Sequence, residues 1–244
     1  MSNDANKLIV SGTTLGSFEL FQALDNQTRT DIATYFKIKQ YTKGQYVISE
    51  AQSSNDVFFL VSGTIYVCAF TQQGKQVHFE ELSAGMMFGE LTAIDNMARS
   101  SDCIATSTAT LAILSAEDFH TLINDYEPVR TAVVNRLVYL VRLHMRKVYE
   151  LTSFPVSQRI RFELLRIASA HKTDAPCNES VVTDGAIYLQ AVPKHAEIAA
   201  RIGTHREAVT RELKSLEAAG VITWRHGEHV IHDIALLTSK NSLS

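Results

Sequence analysis

The fourteen residues from Phe88 to Ser101 bring together side chains that could bind a phosphorylated sugar. Backbone N–H groups at the Gly-Glu-Leu turn near the start of this stretch suit an anion. Arg99 can pair with a phosphate through its planar guanidinium, and Glu90 can accept a hydrogen bond from a sugar hydroxyl. The alternative is a surface turn whose acid and base are unrelated. We predict a ligand site that consists of Gly89, Glu90, Leu91, Arg99, Ser100 and Ser101.

A second group of polar side chains lies on a predicted helix near residue 206 and could read DNA. Arginine can form a bidentate pair with guanine, and Glu207 can accept from the amino group of cytosine. A recognition helix enters the major groove by its N-terminal residues, which is where this group lies. The alternative is a charged helix face that only contacts solvent. The predicted base-reading and phosphate-binding residues are Arg206, Glu207, Arg211, Lys214, Lys194, His195, His205 and Arg225.

Length and composition limit the classes of protein to which the chain can belong. Its 244 residues suffice for two domains with cores of their own. Hydrophobic residues make up 45% of the chain and charged residues 20%, which is typical of a soluble globular protein. The net charge of −3 requires any DNA contact to come from a local basic patch. Cys68, Cys103 and Cys177 are scattered, so neither a disulfide framework nor a metal site is predicted. Without a signal peptide or membrane-spanning run, a cytoplasmic protein is expected.

The first group of residues requires a pocket, and the surrounding sequence predicts one in a small β-barrel. Residues 1–17 are polar and expected to be loosely held, and residues 18–36 have helical periodicity. Short alternating runs separated by glycines follow between Ile38 and Leu114, which predicts an antiparallel jelly roll, or β-roll. The predicted strands are residues 46–48, 56–61, 64–68, 76–80 and 109–114. The fold class is therefore α+β, with the ligand site between two strands.

A long helix is predicted from Pro128 to about Ser153, after a short helix over residues 116–125. Apolar residues on the long helix recur at alternating spacings of four and three, which is the pattern of a two-stranded coiled coil. These residues, which we call the seam, are Val134, Val138, Val141, Met145 and Val148. A homodimer through residues 128–151 is predicted, although a helix buried inside a monomer could also carry this pattern.

Phe154 and Pro155 end the long helix and precede a region with the element order of a winged helix-turn-helix domain. The first elements expected are a helix over 156–170, a polar loop over 171–185 and a strand over 187–192. The next elements are a helix over 194–202, a turn at Gly203 and a second helix that ends at Gly220. A hairpin around Gly227 forms the wing. Thr204 and Glu207 fit a capping box for the second helix. The predicted domains are residues 1–127, 128–155 and 156–244.

The stretch around Gly89 resembles the phosphate-binding cassette of cyclic-nucleotide-binding domains, and the whole chain resembles the CRP/FNR family of bacterial transcription regulators. Residues 206–211, Arg-Glu-Ala-Val-Thr-Arg, are similar to the recognition motif of the CRP branch. The resemblance implies that Glu90 binds the ribose 2′-hydroxyl, and that Arg99 and Ser100 bind the cyclic phosphate. It also implies that Arg206, Glu207 and Arg211 read TGTGA-like half-sites, and that RNA polymerase is a partner.

One departure from the family concerns the base of the ligand, since His144 and Met145 occupy the places of two small hydroxyl residues. Both cAMP and cGMP are therefore expected to bind, within about a hundredfold of each other in affinity. A same-fold regulator that senses haem or redox state, through His78, Cys68 or Cys103, is the alternative. No nucleophile–base pair or cluster of metal ligands stands out, so an enzyme is not predicted.

Overall fold

In this computed structural model, the described residues are 10–74, 76–173, 182–183, 186–189, 192–225 and 228–238. By its internal contacts the chain divides into two units, Met1–His144 and Met145–Ser244. The division falls inside the long helix. It differs from the predicted domains, which separate that helix from both of its neighbours.

Two four-stranded antiparallel sheets, in the described part of the first unit, form the β-roll. The strands are β1 (Lys37–Tyr41), β2 (Tyr46–Ile48), β3 (Val57–Ser62), β4 (Ile65–Phe70), β5 (Gln76–Leu82), β6 (Met87–Phe88), β7 (Asp102–Ala105) and β8 (Ala109–Leu114). One sheet has the order β1-β8-β3-β6 and the other β2-β7-β4-β5. Leu60 and Leu111 of the first sheet and Ile65 of the second share one buried cluster. The predicted jelly roll is confirmed.

Three strands of the roll were missing from the sequence prediction, and each has a physical reason. β1 (KIKQY) has three exposed side chains out of five and gains its order from pairing with β8. β6 has only two residues. β7 begins directly after the predicted ligand site, so its alternation merges with that motif. Pairing between distant segments defines these strands more than their own residue patterns do.

The helical region before the roll is divided into short pieces, where the sequence predicted one continuous element. The pieces are α1 (Gly12–Leu15), a 3₁₀ turn (Glu19–Phe21) and α2 (Asn26–Ala33). Asp25 caps α2 by accepting from the backbone N–H of Thr28 at 3.0 Å, which starts a new helix inside the predicted one. The expectation that residues 10–17 are loosely held was wrong, because Leu15 is fully buried. Residues 1–9 lie outside the described residues.

Three further helices complete the first unit and lead into the second. They are α3 (Glu90–Asp95), α4 (Ala116–Asp125) and α5 (Glu127–Ser153). The bounds of α4 equal the predicted ones, and α5 begins one residue earlier than predicted. Val129 and Val133 of α5 are buried against the roll, whereas the five seam residues are 46–67% exposed in the single chain. The seam is therefore an uncovered apolar row, and the predicted dimer remains a prediction.

The second unit begins with the end of α5 and has the predicted winged helix-turn-helix order. Its elements are α6 (Val156–Thr173), β9 (Val182–Thr183), β10 (Ala186–Tyr188), α7 (His195–Arg201), α8 (Arg206–Ala218), β11 (Ile222–Arg225), β12 (Glu228–Ile231) and α9 (Ile234–Thr238). Ile198 of α7 and Val209 of α8 lie in one buried cluster with Ile222 of β11. The strand predicted over residues 187–192 ends at Tyr188 among the described residues. The predicted wing turn at Gly227 and most of the loop over 171–185 lie outside them.

The predicted capping box at the start of α8 was wrong. His205 is the N-cap residue, so Thr204 lies one position before the cap and Glu207 is the second helical residue, not the third residue that a capping box requires. Thr204 is buried, and its backbone N–H donates to the carbonyl of Ala199 at 2.9 Å, so it belongs to the turn after α7. Gly203 has φ +66° in that turn, a conformation that favours glycine.

Candidate functional site

Gly89 joins β6 to α3 and fixes the geometry of the predicted ligand site. Its φ of 83° and ψ of 4° are in the left-handed region, which glycine adopts without strain. A Cβ atom at this position would lie 3.0 Å from Nη1 of Arg99 and 3.1 Å from the carbonyl oxygen of Asp56. Both the backbone conformation and the close approach of Arg99 therefore require glycine here.

Arg99 is held in place by the backbone around it. The residue is only 6% exposed. Its Nη1 donates to the carbonyl of Gly89 at 2.8 Å, and its Nη2 donates to the carbonyl of Asp56 at 2.8 Å. Burial lowers the pKa of the guanidinium, but arginine stays protonated in proteins. The site therefore has a pre-oriented cation whose remaining N–H groups are available to an anion.

Glu90 is the buried acid of the same site. It is 3% exposed, and burial raises the pKa of its carboxyl group. Hydrogen bonding to its own backbone N–H and the positive charges of Arg136 and Arg99 oppose this rise, while the charge of Glu80 adds to it. In its ionised form, this carboxylate is a strong acceptor for a ligand hydroxyl.

A cavity of about 300 Å³, which we call the ligand cavity, unites most of the predicted ligand residues. The predicted residues that line it are Gly89, Glu90, Leu91, Arg99, Ser100, Ser101 and His144. The ring of His144 packs edge-on against Phe79, with 6.4 Å between the ring centroids. Met145 does not line the cavity and is 67% exposed on the seam. One subunit alone thus assembles all of the predicted ligand residues except Met145.

A second cavity of about 290 Å³ lies elsewhere in the first unit, between the 3₁₀ turn and α5. Its walls include Phe18, Leu20 and Met87. It is similar in size to the ligand cavity but contains neither Arg99 nor Glu90. Of the two, it is the cavity with these two residues whose charged and hydroxyl groups match a phosphorylated sugar.

An ion pair in the wall of the ligand cavity was not predicted from the sequence. Arg136 of α5 donates to both carboxylate oxygens of Glu80 in β5, at 3.1 and 2.9 Å, and both side chains are mostly buried. Arg136 is one turn before Leu140 and two turns before His144, so the helical period could have placed it beside the ligand. Its partner lies 56 positions away, and no local pattern indicates the pair.

The three predicted base readers of the second unit, and the predicted phosphate contact Lys214, lie together on the outer face of α8. Arg206, Glu207, Arg211 and Lys214 are exposed around one shallow opening. Among the described residues, no ion pair involves any of the four. They are therefore free to contact another molecule.

The other predicted DNA-binding residues occupy varied positions near α8. His195 is half-buried, with its Nδ1 atom 2.9 Å from the hydroxyl of Thr210, and burial, then Arg206 and His229, lower its pKa. Lys194 and His205 are exposed at the starts of α7 and α8. Arg225 is also exposed, 3.8 Å from Glu217. His195 would thus be a neutral contact at pH 7, and the rest are available as cations or hydrogen-bond donors.

The residues behind the haem or redox alternative are buried in the roll. Burial is the main cause that raises the pKa of the Cys68 and Cys103 thiols, which disfavours their reactive thiolate forms. His78 is 4% exposed and packs edge-on against Tyr66. Cys177 lies outside the described residues. Within the described part of the chain, no cluster of three or more possible metal ligands occurs, and no helix could span a membrane.

Two family models match the chain, one on each side of the long helix. The cyclic nucleotide-binding domain model matches residues 38–126, which include the β-roll and the ligand cavity residues of α3 and its flanks. The Crp-like helix-turn-helix domain model matches residues 158–239, which include α7 and α8.

Similar proteins have this arrangement along most of their length. The cyclic AMP receptor protein of Thermus thermophilus is 25% identical over 218 residues, which cover 89% of this chain and 94% of that protein. The c-di-GMP-responsive regulator CLP of Xanthomonas campestris has a TM-score of 0.73 and 20% identity, covering 86% of this chain and 100% of that chain. CprK complexed with OCPA has a TM-score of 0.67 and 16% identity, covering 85% and 90%. The effectors of proteins with this fold therefore differ.

A cyclic-nucleotide-binding roll joined to a helix-turn-helix defines a transcription regulator that responds to a small molecule. The chain belongs to the CRP/FNR family of transcription regulators. The fold and family predicted from the sequence are thus confirmed.

Proposed function

We propose that this protein is a homodimeric transcription regulator that binds cAMP, and also cGMP, and then binds pseudo-palindromic TGTGA-like DNA sites. The observation that supports it most is the ligand cavity, where the pre-oriented Arg99 lies with the buried Glu90 and two serines. The match to the Thermus thermophilus cyclic AMP receptor protein supports cAMP as a ligand. RNA polymerase is a proposed partner, and the cytoplasm is the proposed compartment.

Each end of a cyclic nucleotide has a matching group in the ligand cavity. The cyclic phosphate carries one negative charge, which the free N–H groups of Arg99 and the hydroxyl of Ser100 would bind. The ribose 2′-hydroxyl would donate to Glu90. Burial raises the pKa of this carboxyl group, and the positive charges of Arg136 and Arg99 oppose that rise and so favour the ionised, accepting form. Phosphate and ribose are common to cAMP and cGMP, so these contacts select a cyclic nucleotide but not its base.

Replacing Glu90 with glutamine should stabilise the ligand-free protein at neutral pH while weakening its nucleotide affinity. Because burial raises the pKa of Glu90, the folded state holds its proton to higher pH than the unfolded state. The wild type should therefore lose stability as pH rises from the usual value of 4.5 through the raised pKa. Thermal unfolding from pH 4 upwards should show this loss in the wild type and not in Glu90→Gln. Parallel curves for the two proteins would contradict the prediction.

Replacing Arg206 with alanine should relax discrimination at one base pair of the DNA site. The exposed guanidinium at the start of α8 can form a bidentate contact with guanine, worth about 1–3 kcal/mol against a wrong base. Fluorescence anisotropy with operators substituted one position at a time would locate the effect. Lys214→Ala is the matched control, since loss of a phosphate contact should weaken all sequences alike. A uniform loss in Arg206→Ala would assign it to phosphate.

Titration of cAMP and cGMP into the full-length protein, with and without operator DNA, tests the proposed function. The nucleotide should increase DNA affinity, and operator DNA should increase nucleotide affinity by the same factor, because coupling between two sites is reciprocal. The absorbance spectrum of the purified protein should lack haem bands. Failure of a folded protein to bind either nucleotide, or operator DNA that left nucleotide affinity unchanged, would overturn the proposal.

A further inference from the structure

The last turns of α5 are attached to the other helices of the second unit by four charged side chains, which we call the ion-pair chain. Arg166 of α6 donates through Nη1 to both carboxylate oxygens of Glu150 in α5, at 2.9 and 3.0 Å. Its Nε donates to Glu163 of α6 at 2.8 Å, and Glu163 also accepts from Arg201 of α7 at 3.3 Å. The ion-pair chain therefore joins α5 to α6 and α6 to α7.

A second set of contacts lies at the turn between α7 and α8. A Cβ atom at Gly203 would lie 3.1 Å from Cδ2 of Leu151, so this side chain of α5 rests directly on the turn. Arg159 of α6 donates to the carbonyl of Ile202 in the same turn at 2.6 Å. The turn that leads into the predicted recognition helix is therefore contacted by both α5 and α6.

These contacts restrict bending where α5 meets α6. Only Phe154 and Pro155 separate the two helices, and the ring of Phe154 packs edge-on against Phe162, with 5.0 Å between the centroids. A bidentate arginine–carboxylate pair within a network holds its geometry better than an isolated exposed pair. Glu163, in the middle of the ion-pair chain, is 4% exposed, and a buried carboxylate is unfavourable unless it stays paired. The end of α5 is thus fixed to the helices that follow it.

The same part of α5 carries the end of the seam. Met145 and Val148 belong to the second unit, and both are exposed in the single chain. Glu150 comes two positions after Val148, which places it about 200° away around the helix and off the seam. In the proposed dimer, the seam would hold one α5 against the other, and the ion-pair chain would hold each α5 against its own α7. The protein itself would then set the distance between the two α8 helices.

We infer that Glu150 and Arg166 are positioning residues that fix the spacing of the two DNA half-sites which the dimer accepts. This inference rests on the proposed function, because it requires a homodimer that binds DNA with both subunits. One inserted base pair moves a half-site by about 3.4 Å and turns it by about 35° around the DNA axis. A subunit held by the ion-pair chain cannot follow this displacement without strain, whereas a subunit joined only through Phe154 and Pro155 can.

Anisotropy titrations with operators whose half-site spacing differs in steps of one base pair test this inference on the full-length protein. The wild type should have one preferred spacing and bind the neighbouring spacings at least about tenfold less tightly, the order of one lost bidentate base contact. Glu150→Gln and Arg166→Gln remove opposite ends of one ion pair, so each should reduce this preference to about threefold or less. Glu117→Gln is the matched control, because it removes the same charge from an exposed residue of α4 and should keep the wild-type preference.

An unchanged spacing preference in folded, dimeric Glu150→Gln and Arg166→Gln would overturn the inference, and so would a wild type that bound all spacings alike. In both cases the proposed function would stand, because the dimer still binds an operator with two half-sites. A wild type that did not dimerise, or that bound none of the operators, would instead remove the proposed function. Sedimentation equilibrium and thermal unfolding identify folded dimers. Loss of folded protein lowers the apparent affinity for every spacing alike, so the ratio between spacings separates positioning from stability.

Discussion

Replacing Arg99 with alanine is expected to weaken cyclic-nucleotide binding by more than about a hundredfold, or roughly 3–5 kcal/mol, the cost of leaving a buried charge without its partner. Arg99 lines the ligand cavity three residues before β7 begins, and the residue is 6% exposed. In the Arg99→Ala protein, the phosphate of a bound nucleotide would have neither this counter-charge nor the hydrogen bonds that the guanidinium donates. The other arginine in the wall, Arg136, is already paired with Glu80 and cannot replace it without breaking that pair.

The same substitution should also lower stability, because Arg99 satisfies the carbonyls of Gly89 and Asp56. Each carbonyl left buried without a donor costs about 1–3 kcal/mol. Arg99→Lys separates the two effects: it keeps the charge but loses the planar fork, so its affinity should lie between those of the wild type and Arg99→Ala. Calorimetry on protein shown to be folded by circular dichroism is the measurement. Unchanged affinity in folded Arg99→Ala would remove Arg99 from the phosphate site.

The ligand residues that the sequence revealed are those that lie close together in the chain. Gly89, Glu90 and Arg99 fall within eleven positions, so their residue types and spacing are visible without a fold. The contacts that orient them are different. Arg99 donates to the carbonyl of Asp56, 43 positions away, and Arg136 pairs with Glu80 across 56 positions. Only pairing of strands and packing of α5 on the roll bring these groups together, and no local pattern encodes them.

The same distinction explains which elements were predicted well. α4 is a short amphipathic helix with a serine cap, and both signals are local. β1 has a mostly exposed, charged sequence, and its pairing with β8 across about seventy positions makes it a strand. The predicted N-terminal helix failed because periodic phenylalanines suggested one face. Phe18, Phe21 and Phe36 instead converge on Phe59 from separate short elements.

Introducing a charge into the seam, by Val141→Glu, is expected to abolish the dimer and with it tight binding to a two-half-site operator. Val141 is 58% exposed in the single chain, so the substitution should leave the fold of the subunit intact. In a coiled coil, the two glutamates would lie near each other in an apolar seam, and burying an unpaired carboxylate is strongly unfavourable. Dimer affinity should fall by at least about a thousandfold, or 4 kcal/mol.

Sedimentation equilibrium measures the dimer, and anisotropy with full and half operators measures the consequence for DNA. The wild type should bind the full site far more tightly than a half-site, because two recognition helices act on one molecule of DNA. Val141→Glu should bind both weakly and nearly alike. Arg146→Gln, which also lowers the net charge by one and is exposed on another face of α5, should behave as the wild type. A Val141→Glu protein that remained dimeric at micromolar concentration would show that the seam is not the subunit interface, and the exposed valine row would then need another partner.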